Sequence, residues 1–417
     1  MSSAVIIDYG CHSFTYRLAS RLRVQGLPIR YVANGSLESP NLTSLTEWEQ
    51  TQPDLVRNIR CSHPYGKVRL SERLKGEIEW AGHCTRALEQ ECPSVIVGCC
   101  IPLAALTRVQ SWALRRQIPF IYWLQDIQGR AMHDLLGRKL GFTGRALGSF
   151  AYVWEQHMIE KSRMVITIAH GHEEELPMAV RREKRFALLE NWADIEDIPV
   201  CPPANNWAVR HKLAKTVNVI YSGTLGLKHD LNTFIKLATA FRDRPDVRIV
   251  VVSTGQAAEK LRDKSSANAL TNLVILPFQA YTDLSKVLGS ASVLIAPLDG
   301  SAGAFCVPSK VLAYLCAGRP TVLAINPDNP AAMTIEHAQA GFVVKPGDAD
   351  AFVRAVTRLL DDNSLRTAMG QSARRYAERT FGLDFVVPRF LDILRSSGVS
   401  LDAAQPAARS SYAGAAS

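Results

Sequence analysis

The stretch NVIYSGTLGLKHDLNTF, residues 218–234, reads as a buried strand, a glycine turn at Gly223 and the start of a helix. Its apolar run is too short for a helix and lacks strict alternation, so it suits a strand covered on both faces. The same unit recurs downstream in RIVVVS (248–253), LVILP (273–277), SVLIAPL (292–298), TVLAI (321–325) and GFVV (341–344), with helical material between. Upstream, AVIIDYG (4–10), IRYVA (29–33), SVIVGC (94–99), FIYWLQD (120–126) and MVITIA (164–169) repeat the rhythm. Leu70, Leu74, Ile78, Ala81 and Leu88 mark a long amphipathic helix, whereas residues 39–66 show no period. Strands alternating with helices imply parallel pairing, hence an α/β class with two Rossmann-like doubly wound sheets.

The segment ENWADIEDIPVCPPANN (190–206), with three prolines and no periodicity, breaks the alternation and reads as a linker. The expected organisation is a first domain over 1–190, a linker over 191–206 and a second domain over 207–380. A C-terminal helix over 381–399 is expected to return to the first domain, followed by a disordered tail over 400–417.

Composition narrows the class. The 417 residues are 47% hydrophobic and 21% charged, which excludes a wholly disordered or collagen-like chain. No stretch approaches the roughly 18 apolar residues of a membrane span. The N-terminus lacks a basic segment followed by an apolar one, so a cytoplasmic protein with reduced cysteines is expected. Its nine cysteines show no metal-type spacing. The net charge of +9 is uneven: residues 101–150 hold seven basic side chains against Asp126 and Asp134. Within them, RKLGFTGRALGSFAYVW (138–154) mixes basic and apolar residues, as a surface resting on an anionic membrane does; a solvated face is the alternative. Nucleic acid is the other usual partner of such a patch, but Phe142, Phe150 and Tyr152 fit a membrane face as well, and no nucleic acid partner is expected.

In open parallel sheets, ligands bind beyond the carboxyl ends of the strands. The first strand ends in Asp8-Tyr9-Gly10-Cys11-His12-Ser13, where a turn feeding a helix offers backbone N–H groups to a phosphate. Ser13 there also fits an N-cap, and His12 fits a donor to phosphate or sugar. Asp126 ends FIYWLQD, where it either handles hydroxyls and protons or caps the next turn. In the second half, Gly223 and Thr224 allow close backbone approach, and Lys228 adds a point charge for a diphosphate. Lys310, after Pro308 and Ser309, sits in a first helical turn, where a cation is unfavourable unless an anion shares the site.

These residues resemble a known family. The run Tyr221–Gly226, then VPSKVLAYLCAGRPTV (307–322), GFVVKPGD (341–348) and RTAMGQSARRYAERTF (366–381) are similar to the donor half of family 4 glycosyltransferases. GCHSFTYRLASRLRVQG (10–26) and the WLQD strand match its first half more loosely. The resemblance is to the bacterial polysaccharide branch that includes O-antigen and colanic-acid enzymes.

It implies a GT-B fold, two sheets facing across a cleft, and metal-independent transfer with retention from a nucleotide-diphosphate sugar. The acceptor would be a saccharide or a lipid-linked one at the membrane's inner face. The diphosphate would meet Lys228, Lys310 and Ser309, with Gly10, Cys11, Phe305 and Cys306 near the leaving group. Pro277, Phe278 and Gln279 would flank the base, while Asp126 and His12 would face the acceptor or the donor sugar.

Three positions depart from the pattern. Phe305 and Ala313 stand where members carry two glutamates, and Thr224 where they carry an arginine. The departures keep open a second reading, a catalytically degenerate homologue acting as a scaffold. A nucleotide-sugar epimerase ranks third.

Overall fold

The computed structural model describes residues 3–37, 42–62, 70–169, 172–193, 195–225, 229–298 and 310–399. The chain divides into two compact units. The first comprises residues up to Glu190 together with those from Val386 onward; the second runs from Asn191 to Phe385.

The first unit carries β1 (Ser3–Asp8), α1 (Ser13–Val24), β2 (Ile29–Asn34), α2 (Leu42–Thr51), β3 (Val56–Ile59), α3 (Leu70–Glu91), β4 (Pro93–Cys99), α4 (Leu103–Arg115), β5 (Phe120–Leu124), α5 (Gln128–Lys161), β6 (Met164–Thr167), α6 (Met178–Arg182) and β7 (Phe186–Leu188). Its strands form one parallel sheet in the order β3-β2-β1-β4-β5-β6-β7. The central strands are apolar on both faces because helices cover both, as their unbroken Val/Ile runs require.

The second unit carries α7 (Asn206–Arg210), β8 (Val217–Ser222), α8 (Leu231–Ala240), β9 (Val247–Val252), α9 (Gln256–Ala267), β10 (Leu273–Leu276), α10 (Leu284–Gly289), β11 (Val293–Pro297), α11 (Lys310–Cys316), β12 (Thr321–Ala324), α12 (Pro330–His337), β13 (Gly341–Val344), α13 (Ala349–Asp361) and α14 (Asn363–Thr380). Its sheet order is β10-β9-β8-β11-β12-β13, again all parallel. Phe352, Val356, Leu359 and Leu360 of α13 pack into its core, as their spacing requires. The last helix, α15 (Leu383–Ser396), sets Phe390 against Trp123 of β5, ring centroids 6.0 Å apart. In each sheet the strand order reverses once, between β1 and β4 and between β8 and β11, which defines a topological switch point.

Two local readings need correction. The featureless stretch 39–66 contains α2 and β3. On α3 the buried face is Trp80, Ala81, Cys84 and Leu88, while Leu74 and Ile78 are exposed. Of the expected stripe, Ala81 and Leu88 are buried and Leu74 and Ile78 are not, while the Leu70 side chain lies outside the described residues.

Helix α5 is two antiparallel arms. Gly141, at φ 60° and ψ −132°, reverses the chain in a conformation open essentially to glycine alone. The arms lie so close that a Cβ on Gly129 would meet Tyr152 Cα at 2.5 Å, and one on Gly148 would meet His133 Cα at 2.2 Å. Gly144 is equally tight against the Leu136 carbonyl. The second arm runs back along the sheet into β6, so the hairpin projects on the side of the strands' carboxyl ends. The first arm, Gln128 to the break at Gly141, is about thirteen residues long, and at 1.5 Å each gives a projection on the order of 20 Å.

Gly148→Val is expected to cost about 1–3 kcal/mol by overpacking the arms, read as a lower urea midpoint at unchanged m-value. An unchanged midpoint would mean that the arms separate without penalty.

Candidate functional site

In the first unit the switch point is built around Asp8, fully buried at the end of β1. Its carboxylate accepts from Gly10 N at 3.0 Å, His12 N at 2.6 Å, Tyr31 Oη at 3.1 Å and the Thr15 hydroxyl. His12 Nδ1 lies 2.9 Å from Asp8 Oδ1. The β1–α1 turn is therefore folded onto one carboxylate, with Cys11 held at φ 55° and its thiol donating to the Asn34 carbonyl. Gly10 is required because a Cβ there would lie 2.1 Å from the His12 ring. Ser13 is not the cap; His12 occupies the N-cap position without a side-chain bond, and Asp8 collects the loop's N–H groups instead.

The charges are mutually sustaining. Burial would raise the Asp8 pKa, but the His12 charge and the hydrogen bonds prevail and hold it below the usual carboxylate value. Loss of hydration disfavours the His12 cation, yet the Asp8 carboxylate outweighs this and lifts its pKa well above the ordinary value. His12 Nε2 points to Cys100 Sγ, 4.0 Å away at the end of β4. Among the described residues, Asp8, His12 and Cys100 bring potential metal-ligand atoms within 4.8 Å of one another, a grouping invisible in sequence spacing. The Asp8 oxygens are already committed to five partners, so their first role is to position the loop.

Asp126 is exposed and lines a pocket of about 280 Å³ with Tyr9, Arg73, Cys100, Tyr122 and Gln125. The first N–H groups of α5, from Gln128 and Gly129, go to Glu155 at 2.9 and 2.8 Å. Glu155 caps this helix. Burial pushes its pKa up to about 7 despite those two bonds. Sequence reading missed Glu155 because its partners lie 26 and 27 positions away. Asp8 had a local signal, an acid closing an apolar strand before a glycine.

In the second unit, β8 delivers Ser222 and Gly223 to the switch point. Gly223 has φ 140°, and a Cβ there would press on Lys310 Cε at 3.3 Å. The Lys310 ammonium donates to Tyr221 Oη at 2.5 Å, lies 3.1 Å from His229 Nε2, and sits 4.2 Å over the Tyr221 ring centre. Tyr221 Oη also donates to the Thr224 carbonyl at 2.7 Å, and burial keeps its phenol neutral. Tyr314 Oη accepts from Ser222 N at 3.1 Å, tying α11 to the end of β8. Tyr221, His229 and Tyr314 were not singled out in the sequence; their only signal is proximity to the glycine turn and to Lys310.

Phe278 is exposed just beyond β10, its N–H donating to Thr254 Oγ1. Gln279 is engaged elsewhere: its Oε1 accepts from Trp207 Nε1 at 2.9 Å, and its Nε2 donates to the Pro277 carbonyl. Lys228, Phe305, Cys306 and Ser309 lie outside the described residues.

Residues 206–376 match the family described as glycosyl transferases group 1. In curated sequences, WcaI of Escherichia coli, named as a colanic acid biosynthesis glycosyl transferase, is 25% identical over 64% of this chain and 66% of its own length. A GDP-mannose-dependent phosphatidylinositol monomannoside mannosyltransferase of Corynebacterium glutamicum is 25% identical over 51% of this chain and 56% of its own. The chain thus spans between about half and two thirds of the relatives it matches. Among solved structures, Anabaena HepE in complex with UDP-glucose aligns with a TM-score of 0.70 at 14% identity, over 95% of this chain and 100% of that one. WaaG, a glycosyltransferase involved in lipopolysaccharide biosynthesis, aligns at 0.63 and 15% identity over 94% and 99%. These likenesses carry the fold, which is GT-B.

A pH consequence follows from His12. Its folded-state pKa is raised, so its stabilisation is complete below the unfolded value of about 6.5 and is lost as pH climbs through the folded value. The difference in urea midpoint between wild type and His12→Gln should therefore be largest near pH 6 and shrink on the alkaline side. A difference that grows with pH would contradict the assignment of a charged ring.

Proposed function

From the match of residues 206–376 to the group 1 glycosyl transferases, we propose that the chain moves a sugar from a nucleotide-diphosphate donor to a saccharide or lipid-linked acceptor. The reaction proceeds with retention of anomeric configuration, in bacterial surface polysaccharide biosynthesis. The observation that carries this reading is Lys310, held at the switch point of the second sheet by the Tyr221 hydroxyl and the His229 ring. An ammonium fixed beside a glycine turn at a strand end is prepared for a diphosphate, whose negative charge grows as the glycosidic bond breaks. The lysine then does the work of a metal, and no metal is invoked. Lys228, Ser309, Phe305 and Cys306 would complete the diphosphate cradle, with Gly10 and Cys11 of the first unit beside it. Thr224 offers only its short hydroxyl where the family carries an arginine. Phe278, exposed beyond β10, would flank the base with Pro277, leaving Gln279 to brace Trp207. Asp126 and His12 would face the acceptor or the donor sugar.

The acceptor side also fits a membrane. The hairpin tip presents Phe142 at 86% exposure, with Leu140, Leu147, Phe150 and Val153 exposed along the arms. Arg130 and Arg145 stand among them, and no described helix is long and apolar enough to cross a bilayer. Apolar residues interleaved with cations suit a helix pair lying in an anionic interface. This supports a peripheral station at the cytoplasmic face, from which a lipid-linked acceptor would enter.

Phe305 and Ala313 favour a second reading, a degenerate homologue that binds nucleotide sugar without turning it over.

Two measurements test these readings. One nucleotide-diphosphate sugar at 100 times its Kd should add about 2.7 kcal/mol of stability, seen as a raised Tm. Lys310→Ala should weaken that binding by about 2 kcal/mol. No shift with any donor would sink the donor assignment, whereas a shift without transfer to any lipid-linked acceptor pool would select the degenerate reading. Separately, the protein should co-sediment with phosphatidylglycerol-containing vesicles more than with phosphatidylcholine ones. Phe142→Ser with Phe150→Ser should reduce that binding about ten-fold; equal sedimentation of both forms would remove the hairpin from the membrane.

A further inference from the structure

The carboxyl end of β4 carries a feature that glycosyl transfer does not use. Cys100 sits in the strand-to-helix turn between β4 and α4 at φ 52°, a left-handed conformation uncommon for a residue with a Cβ. Such a turn lifts a side chain clear of the sheet, the placement nucleophiles take on strand–turn–helix elbows. Its Sγ faces His12 Nε2 at 4.0 Å, and the far side of that ring is anchored to the Asp8 carboxylate at 2.9 Å. A thiol, an imidazole and an orienting carboxylate stand in line, the arrangement that activates a cysteine. The N-terminus of the 13-residue α4 begins three residues on, with no side-chain cap. Cys100 is half-buried, and it lines the pocket shared with Asp126, so a small molecule in that pocket meets the sulfur.

We propose that Cys100 is a nucleophilic thiolate and a site of reversible mixed-disulfide formation with low-molecular-mass disulfides such as oxidised glutathione. The Cys100 sulfur attacks one sulfur of the disulfide. A new S–S bond forms to Cys100, the original S–S bond breaks, and the other half leaves as a thiolate with the electron pair. The His12 imidazolium supplies the proton this leaving thiolate takes up. A second free thiol reverses the step, so no further oxidant or reductant is needed. If Asp126 faces the acceptor or the donor sugar as proposed above, an adduct in the pocket it lines halts transfer; the thiol chemistry itself does not depend on that reading.

The electrostatics agree with the geometry. A hydrogen bond from the Cys99 thiol and the charge of His12 bring the Cys100 thiol down to about 7, against burial and the repulsion of Asp8. Tyr122 of β5, Asp126 just beyond that strand, and Arg73 of α3 line the same pocket. Neighbouring thiols go the opposite way. Burial and Asp8 push Cys11 up to about 12, and burial raises Cys99 well above its ordinary value. The reactivity is therefore confined to one sulfur of this cluster.

The test is the pH dependence of Cys100 alkylation by iodoacetamide, read by peptide mass spectrometry with free glutathione as the reference thiol. The wild-type rate should rise with an inflection near pH 7, against about 8.5 for an ordinary thiol. In His12→Gln, shown folded by its melting curve, the inflection should move up by about one unit, with roughly ten-fold slower labelling at pH 6.5. Cys100→Ser should abolish the fast-labelled peptide. Oxidised glutathione should add one glutathione mass to the wild type, removable with dithiothreitol. An inflection at or above 8.5, a profile that His12→Gln leaves unmoved, or no adduct on a fast-labelling thiol would overturn the proposal. All these readouts stand apart from glycosyl transfer, so its absence would not touch them.

Discussion

One buried carboxylate organises the first unit's ligand-facing end. Asp8 would be a liability in the middle of an apolar strand, since an unpaired buried charge costs several kcal/mol. At the strand's last position it becomes an anchor, because the turn beyond it brings two backbone N–H groups, two hydroxyls and an imidazole to its oxygens. The position of His12, the left-handed conformation at Cys11 and the need for glycine at position 10 all follow from satisfying that single group. Removing the carboxylate would orphan every donor at once, so the loop has one arrangement rather than several.

The second unit solves the matching problem with a phenol and an imidazole. Lys310 is held by a phenol that burial keeps protonated and by an imidazole nitrogen. A carboxylate in their place would compete with any anionic ligand for the ammonium. The two ends thus differ in kind: one gathers its donors on a buried carboxylate, the other sets an ammonium against a phenol and an imidazole.

Much of this was legible because parallel sheets write themselves into sequence as unbroken apolar runs, and each run named here became a strand. Strand ends were legible for the same reason, so Asp126, His12, Gly223 and Lys310 were found at carboxyl edges. What escaped depends on partners distant in sequence. Glu155 looks like an ordinary helical glutamate until Gln128 and Gly129 are seen to donate to it. The exposed Leu74 and Ile78 of α3 mimic a core stripe, since periodicity reports a face without saying what covers it. The hairpin was hidden because Gly129, Gly144 and Gly148 reveal themselves as the contact surface between two arms only once their distant partners are seen.

The discontinuity of the first unit bears on how the protein is made. Its sheet is finished by Leu188, yet Phe390, which packs on Trp123 beside Phe14, is translated some two hundred residues later. At synthesis rates of roughly 5–20 residues per second, this leaves on the order of 10–40 s with the indole side of β5 uncovered. The second unit, uninterrupted in sequence, emerges whole within that interval. Assembly on the ribosome thus favours completing the inserted unit first and sealing the earlier one last, with the newborn chain exposed to chaperones through a tryptophan that the finished protein hides.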